Sequence, residues 1–256
     1  MCIRDRYLAH PMLRGDDVAE LQRRLSSLGF DGGRVDGIAG PRTERALADF
    51  QRNAGLVSDA VCGPATVAAL ERLGASCDAP HSVAAVRERE ELRRGPPSLS
   101  GRRIAVGETG GLDALVRSIA GALTAAGGTA MVLQHPDISQ HAAGANSARA
   151  DAYLGVALNT EEAGLCSAAY YRSPSGWESP EGRRLAELVQ GAISPLVDLG
   201  APTAVKGMAL PVLRETLMPA VIAELAPPAL VVERSAELAG ALTSALRLWV
   251  EGAPGA

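Results

Sequence analysis

Aromatic side chains are scarce in this chain: phenylalanine, tyrosine and tryptophan make up 3% of its 256 residues. Hydrophobic residues still reach 47%, so a core of ordinary size can form, built from alanine, valine and leucine. Cysteine is scarce as well. Cys2, Cys62, Cys77 and Cys166 are scattered with no CxxC spacing. That excludes a zinc ribbon and a disulfide framework and leaves inert thiols in a reducing compartment. No apolar run reaches the length of a membrane span. Basic excess is missing too: the formal charge is −4, no basic patch stands out, and nucleic acid is not an expected partner. The opening residues, MCIRDRYLAHPM, lack the apolar stretch of a signal peptide. Read as it stands, the chain is expected in the cytoplasm. If those residues replace a natural start, the cell envelope is the expected place instead.

What is present begins with residues 36–51, DGIAGPRTERALADFQ. Val35–Leu47 reads VDGIAGPRTERAL and Ser58–Leu70 reads SDAVCGPATVAAL, and the two align without a gap at an offset of 23 residues. Asp36/Asp59, Gly40/Gly63, Pro41/Pro64, Thr43/Thr66, Ala46/Ala69 and Leu47/Leu70 are identical. This is a pseudo-repeat. Upstream, Val18, Leu21, Leu25 and Leu28 follow the spacing of one helical face. Asp16 or Asp17 is the expected N-cap and Gly29 the stop. Gly32, Gly33, Asp36 and Gly37 make a turn-rich loop. Pro41 and Pro64 each sit just inside a helix, where the missing N–H costs nothing. A three-helix unit over 14–73 is expected, with Val18, Leu21, Leu25, Leu47, Phe50 and Leu70 in its core.

The segment resembles the small peptidoglycan-binding domains appended to bacterial cell-wall hydrolases. The resemblance implies peptidoglycan, its fragments or its precursors as ligand. Candidate contacts are Arg34, Asp36, Arg42, Thr43 and Arg45, around a loop and helix start whose polar groups and N–H donors can meet sugar hydroxyls and peptide carboxylates. In the plainer reading the unit is a helical domain without a ligand, Asp36 orders its turn and Thr43 packs.

Residues 74–101 read as a charged helical linker. Ser82–Arg94, SVAAVREREELRR, is a solvated helix ended by Gly95-Pro96-Pro97. Over 102–252 strands and helices alternate. Strands are expected at Ile104–Val106, Thr129–Leu133, Ala152–Leu158, Ser167–Tyr171 and Ala220–Leu225. Helices are expected at Leu112–Leu123, Ala142–Ala150, Pro180–Ile193 and Ser235–Val250. This is an α/β domain with a parallel or mixed sheet covered on both faces. Ligand chemistry in such sheets lies at the carboxyl ends of strands.

Val212–Leu225, VLRETLMPAVIAEL, is similar to the "LRxTxMPAVxxELG" segment of zinc-dependent N-acetylmuramoyl-L-alanine amidases of the type 3 family. Ala145-Asn146, Ala150-Asp151 and Gly182–Val189 also match, and the linker is similar to that of actinobacterial wall amidases. The resemblance implies zinc held by two histidines and a glutamate, with a further glutamate as base. Zinc chemistry needs three protein ligands and an open position for water. At the first histidine's slot stands Thr109, in AVGETGG. The ligand glutamate's region is missing before Leu112. At the second histidine's slot stands Ala157. The base position is kept, as Glu224. His135 and His141 match no ligand position and read as surface or capping residues. Glu108 together with Glu224 would suit a hard cation rather than zinc.

The expected function is therefore a peptidoglycan-binding, catalytically degenerate amidase-fold protein in cell-wall metabolism or its regulation, without a cofactor and with a cell-wall synthesis protein as partner. The alternative is an active zinc amidase with a rebuilt metal site. A third reading is an interaction protein in which neither domain binds glycan.

Overall fold

The computed structural model describes residues 12–74, 83–159, 166–173, 176–196 and 203–252. The chain divides into two compact units, Met1–Arg87 with Ser173–Trp177, and Glu88–Arg172 with Glu178–Ala256.

The first unit holds helices α1 (Asp16–Ser27), α2 (Pro41–Asn53) and α3 (Pro64–Gly74). Leu21, Leu25, Ala46, Leu47, Phe50, Cys62, Ala69 and Leu70 form its core, and Val18 is buried beside α1's other apolar residues. Phe30 meets Phe50 edge-on, with ring centroids 5.5 Å apart. The expected stop at Gly29 is a left-handed residue, φ 90°. Phe30 N–H beyond it reaches back to Leu25 O at 2.9 Å, and the same device ends α2 at Gly55 through Leu56 N–H and Gln51 O, 2.8 Å. The N-terminus of α1 differs from expectation. Gly15 is the N-cap without a side-chain bond, and both aspartates lie in the first turn, where their charge favours the helix dipole.

Helix α4 (Val83–Arg94) is not a solvated connector along its whole length. From Glu88 onward it belongs to the second unit, so the expected boundary at 102 moves upstream. Leu92 joins the second core. Buried Arg102 donates to Leu92 O and to Pro96 O, and pairs with Asp151 at 3.0 Å. Glu88 accepts from Ser179 Oγ at 2.8 Å. The charged pattern hid a buried side of the helix, where Leu92 packs in the core and Glu88 accepts from Ser179.

The second unit continues through β1 (Arg103–Glu108), α5 (Asp113–Ala125), β2 (Thr129–Gln134), α6 (Ile138–Ser147), β3 (Ala152–Leu158), β4 (Cys166–Tyr171), α7 (Pro180–Ile193), β5 (Thr203–Met208), α8 (Pro211–Glu215), β6 (Ala220–Leu225), α9 (Pro228–Glu233) and α10 (Ser235–Glu251). The sheet is mixed, in the order β2-β1-β3-β6-β4-β5. All neighbours are parallel except β4 and β6. One face carries Ile104, Val106, Leu154, Val156, Ala168, Val221 and Ala223 against α5, α7 and α10. The opposite face, reached by the period-2 alternation, packs on α6 and α8. Strand β5, TAVKGM, escapes sequence reading because a lysine and a glycine interrupt it at the sheet edge. No helix among the described residues is long and apolar enough to cross a membrane.

Candidate functional site

In the helical unit, each repeat is organised by a buried glutamine from the preceding helix. Gln22 Nε2 donates to Asp36 Oδ1 (2.8 Å) and Ile38 O (3.0 Å) and lies 3.1 Å from Thr43 Oγ1. Its Oε1 accepts from the backbone N–H of Asp36 and Gly37, at 3.0 and 2.8 Å. Gln51 Nε2 does the same for Asp59 Oδ1 (2.8 Å), Val61 O (2.9 Å) and Thr66 Oγ1 (3.2 Å), and its Oε1 accepts from Ala60 N–H at 2.9 Å. In both loops the aspartate also accepts from the N–H two residues on, at 2.9 Å. The identical Asp and Thr pairs are thus acceptors for one amide, and a single motif is built twice. Sequence reading found the acceptors and missed the glutamines, which stand beside the core residues Leu21 and Phe50. The signal was available: two conserved-in-repeat acceptors demand a buried donor.

The copies differ in what fills them. Of the candidate contacts in the first copy, Arg34 and Thr43 are buried and Asp36 is turned into the unit, where burial raises its carboxyl above the ordinary 3.8 while the Gln22 bond and the Arg34 charge pull it back. Thr43 donates to Gly32 O at 3.1 Å. Only Arg42 and Arg45 are exposed. Segment Leu13–Gly15 also lies against this loop: Ala39 N–H donates to Leu13 O and Gly15 N–H to Gly37 O, at 2.9 and 3.0 Å. In the second copy Asp59 is exposed, and Val61 N–H and the Gln51 amide hold its carboxyl below 3.8. A cavity of about 490 Å³ opens here, lined by Leu56, Val57, Asp59, Val61, Pro64 and Ala65 among others.

In the second unit, the strand ends put the expected positions in one row. Ala157 of β3 is paired with Glu224 of β6, and Glu224 with Ser167 of β4. Glu224 accepts a short hydrogen bond from Ser167 Oγ. Lys206 Nζ of the edge strand lies 3.8 Å from the same carboxylate. Ser167 and Lys206 were not foreseen. Thr109 follows β1 and is exposed. Glu108 does not approach Glu224. It is buried and accepts from Gly110 N–H (2.6 Å), Leu112 N–H (3.4 Å) and Gln134 Nε2 (3.2 Å). Its register partner Val156 lies in the α5–α7–α10 core, as does Ala223 beside Val156, whereas Glu224 alternates to the other face. The pairing of Glu108 with Glu224 is therefore corrected: the sheet separates them. His135 is exposed and its Nδ1 accepts from Asp137 N–H at 3.0 Å. His141 is interior, not a surface residue: its Nδ1 meets Tyr153 Oη at 3.0 Å and its Nε2 meets the His135 backbone. Burial lowers its pKa below the ordinary 6.5, which favours the neutral ring. Among the described residues no three His, Cys, Asp or Glu side chains gather as a metal ion would need.

Residues 14–70 match the family described as "Putative peptidoglycan binding domain". The chain is similar to N-acetylmuramoyl-L-alanine amidase CwlM of Mycobacterium tuberculosis, 33% identical over 238 residues, which is 82% of this chain and 58% of that one. It thus spans less than two thirds of that relative. A spore cortex-lytic enzyme of Oceanobacillus iheyensis is 46% identical over 52 residues, 20% of this chain and 19% of the enzyme. Among solved structures, the N-acetylmuramyl-L-alanine amidase Ami1 of Mycobacterium smegmatis is similar at 14% identity and a TM-score of 0.48, over 60% of this chain and 99% of that one.

Proposed function

We propose that this chain binds peptidoglycan, its fragments or its precursors through the helical unit, and that the α/β unit is an amidase fold that no longer hydrolyses. Binding is supported by the family match over residues 14–70. The loss of hydrolysis is carried by one observation, the row Ala157–Glu224–Ser167 with Lys206 beside it. Zinc of this kind is held by three protein ligands, with the fourth position left to a water. Among the described residues the donor set here is a single carboxylate, already bonded to a hydroxyl and facing an ammonium group, and that set does not fit zinc. A lysine beside Glu224 supplies the positive charge that a metal would supply, but it has no open position for water and activates no nucleophile. Glu224 keeps a structural task, tying β6 to β4 and β5. With hydrolysis gone, the fold serves recognition, and a cell-wall synthesis protein is the partner through which recognition becomes regulation. If the chain works in the cytoplasm, precursors are its ligands.

The test has two arms on the full chain. Metal analysis of protein purified without added zinc is expected to find no stoichiometric metal, and muropeptide release from purified sacculi is expected at background. Retention on the same sacculi is expected above a control protein. Stoichiometric zinc with release lost in Glu224→Gln would restore the enzyme reading.

A further inference from the structure

The two repeats of the helical unit share one glutamine-centred framework, and two of the positions at which they differ flank the loop aspartate. Two residues before the aspartate stands Arg34 in the first copy and Val57 in the second. One residue after the helix-starting proline stands Arg42 in the first and Ala65 in the second. Arg34 is buried, and its charge acts on Asp36. The Arg42 stem lies over Gly33: a Cβ built there would sit 3.7 Å from its Cβ and Cδ. So the first copy carries its own cation next to its aspartate and the Arg42 stem over its loop. In the second copy Val57 is 79% exposed, Ala65 is a methyl, and their place is the cavity of about 490 Å³ with the Asp59 carboxylate on its lining. Among the described residues no cationic side chain pairs with Asp59. The loop also keeps Ala60 at φ 57°, a left-handed conformation that an alanine adopts only at a cost, where the first copy has Gly37. The amide framework is maintained, while the arginines beside it are replaced by Val57 and Ala65.

Resting on the peptidoglycan-binding reading, we infer that the second repeat is the ligand site and that it takes a peptide ammonium group. The ligand class is a stem peptide whose diamino acid keeps its side-chain amine free, as in a precursor or an un-cross-linked stem. The ammonium occupies the place of the Arg34 cation and pairs with Asp59. The aliphatic stem of the diamino acid lies on Leu56, Val57 and Val61. The absence of an aromatic residue from the lining argues against a sugar ring stacked in the cavity and favours a peptide.

The experiment uses the full chain, a synthetic stem tetrapeptide with a free side-chain amine, and the same peptide acetylated on that amine. Titration calorimetry is expected to show that acetylation weakens binding about threefold, the loss for an ion pair to an exposed carboxylate. Val57→Arg brings the first copy's arginine into the second at an exposed position and is expected to weaken the amine peptide as much. Asp59→Asn should do likewise, with the unfolding midpoint checked for each variant. Equal affinity for the two peptides, or Val57→Arg binding as the parent does, overturns the inference. Sacculus retention separates the two levels. If the parent and both variants are retained alike, only this site is wrong. If the parent is not retained, the peptidoglycan reading falls with it.

Discussion

Gln22→Leu is the substitution that bears hardest on the repeat framework. The side chain is 2% exposed and its replacement by an apolar group of similar size leaves no cavity to speak of, so the loss is one of hydrogen bonds. The amide's two N–H groups, shared among three surrounding acceptors, are lost, and two backbone donors, Asp36 N–H and Gly37 N–H, lose their acceptor. A buried polar group left unsatisfied costs about 1–3 kcal/mol. Asp36 and Thr43 keep other partners, so the uncompensated groups number about two, and the expected loss is about 3–5 kcal/mol. That is much of the stability of a domain this small. Gln51→Leu removes the matching bonds in the second copy, but Asp59 there is exposed and water can replace the amide. Its expected cost is about 1–2 kcal/mol. Hydrogen exchange read peptide by peptide across α1–α3 distinguishes the two, because it isolates this unit from the rest of the chain. Loss of protection across all three helices is expected for Gln22→Leu and a partial loss for Gln51→Leu. Equal effects, or a larger one at Gln51, would refute the argument that burial sets the difference between the copies.

Phe50→Ala should cost about 3–5 kcal/mol, since the ring is buried against Phe30 and the unit's core; an unchanged unfolding midpoint of the helical unit would contradict that packing. Asp36 carries a raised pKa chiefly through burial, so its contribution to stability is present below the unfolded value of 3.8 and is lost as pH rises through the folded one. Asp36→Asn should therefore flatten the pH–stability curve above 3.8, and an unaltered slope in that window counts against the assignment. Chelator treatment is expected to leave the melting temperature of the α/β unit unchanged, because its support comes from the apolar core rather than a metal; a fall restored by zinc reverses the conclusion. Lys206→Ala should change that temperature little, since a partly exposed ion pair 3.8 Å apart contributes at most about 1 kcal/mol.

Local chemistry wrote much of this protein into its sequence. Gly-Pro pairs and 3-4 spacing specify the three small helices, and apolar strands between helical stretches specify the α/β unit, because caps, periodicity and turns act within a few residues. The pseudo-repeat was legible for the same reason. What lay beyond reach was every relation set by tertiary approach. Nothing local says that Gln22 and Gln51 reach across to loops 14 and 8 residues on, or that one loop is filled while its twin is open. Nor does spacing reveal that Glu108 and Glu224 face opposite sides of one sheet, since that follows from strand pairing. Lys206 became the neighbour of Glu224 only because β5 takes the sheet edge next to β4. The sequence fixes which residues can fold into each element, while register and burial decide which of their polar groups meet, and those meetings make the candidate sites.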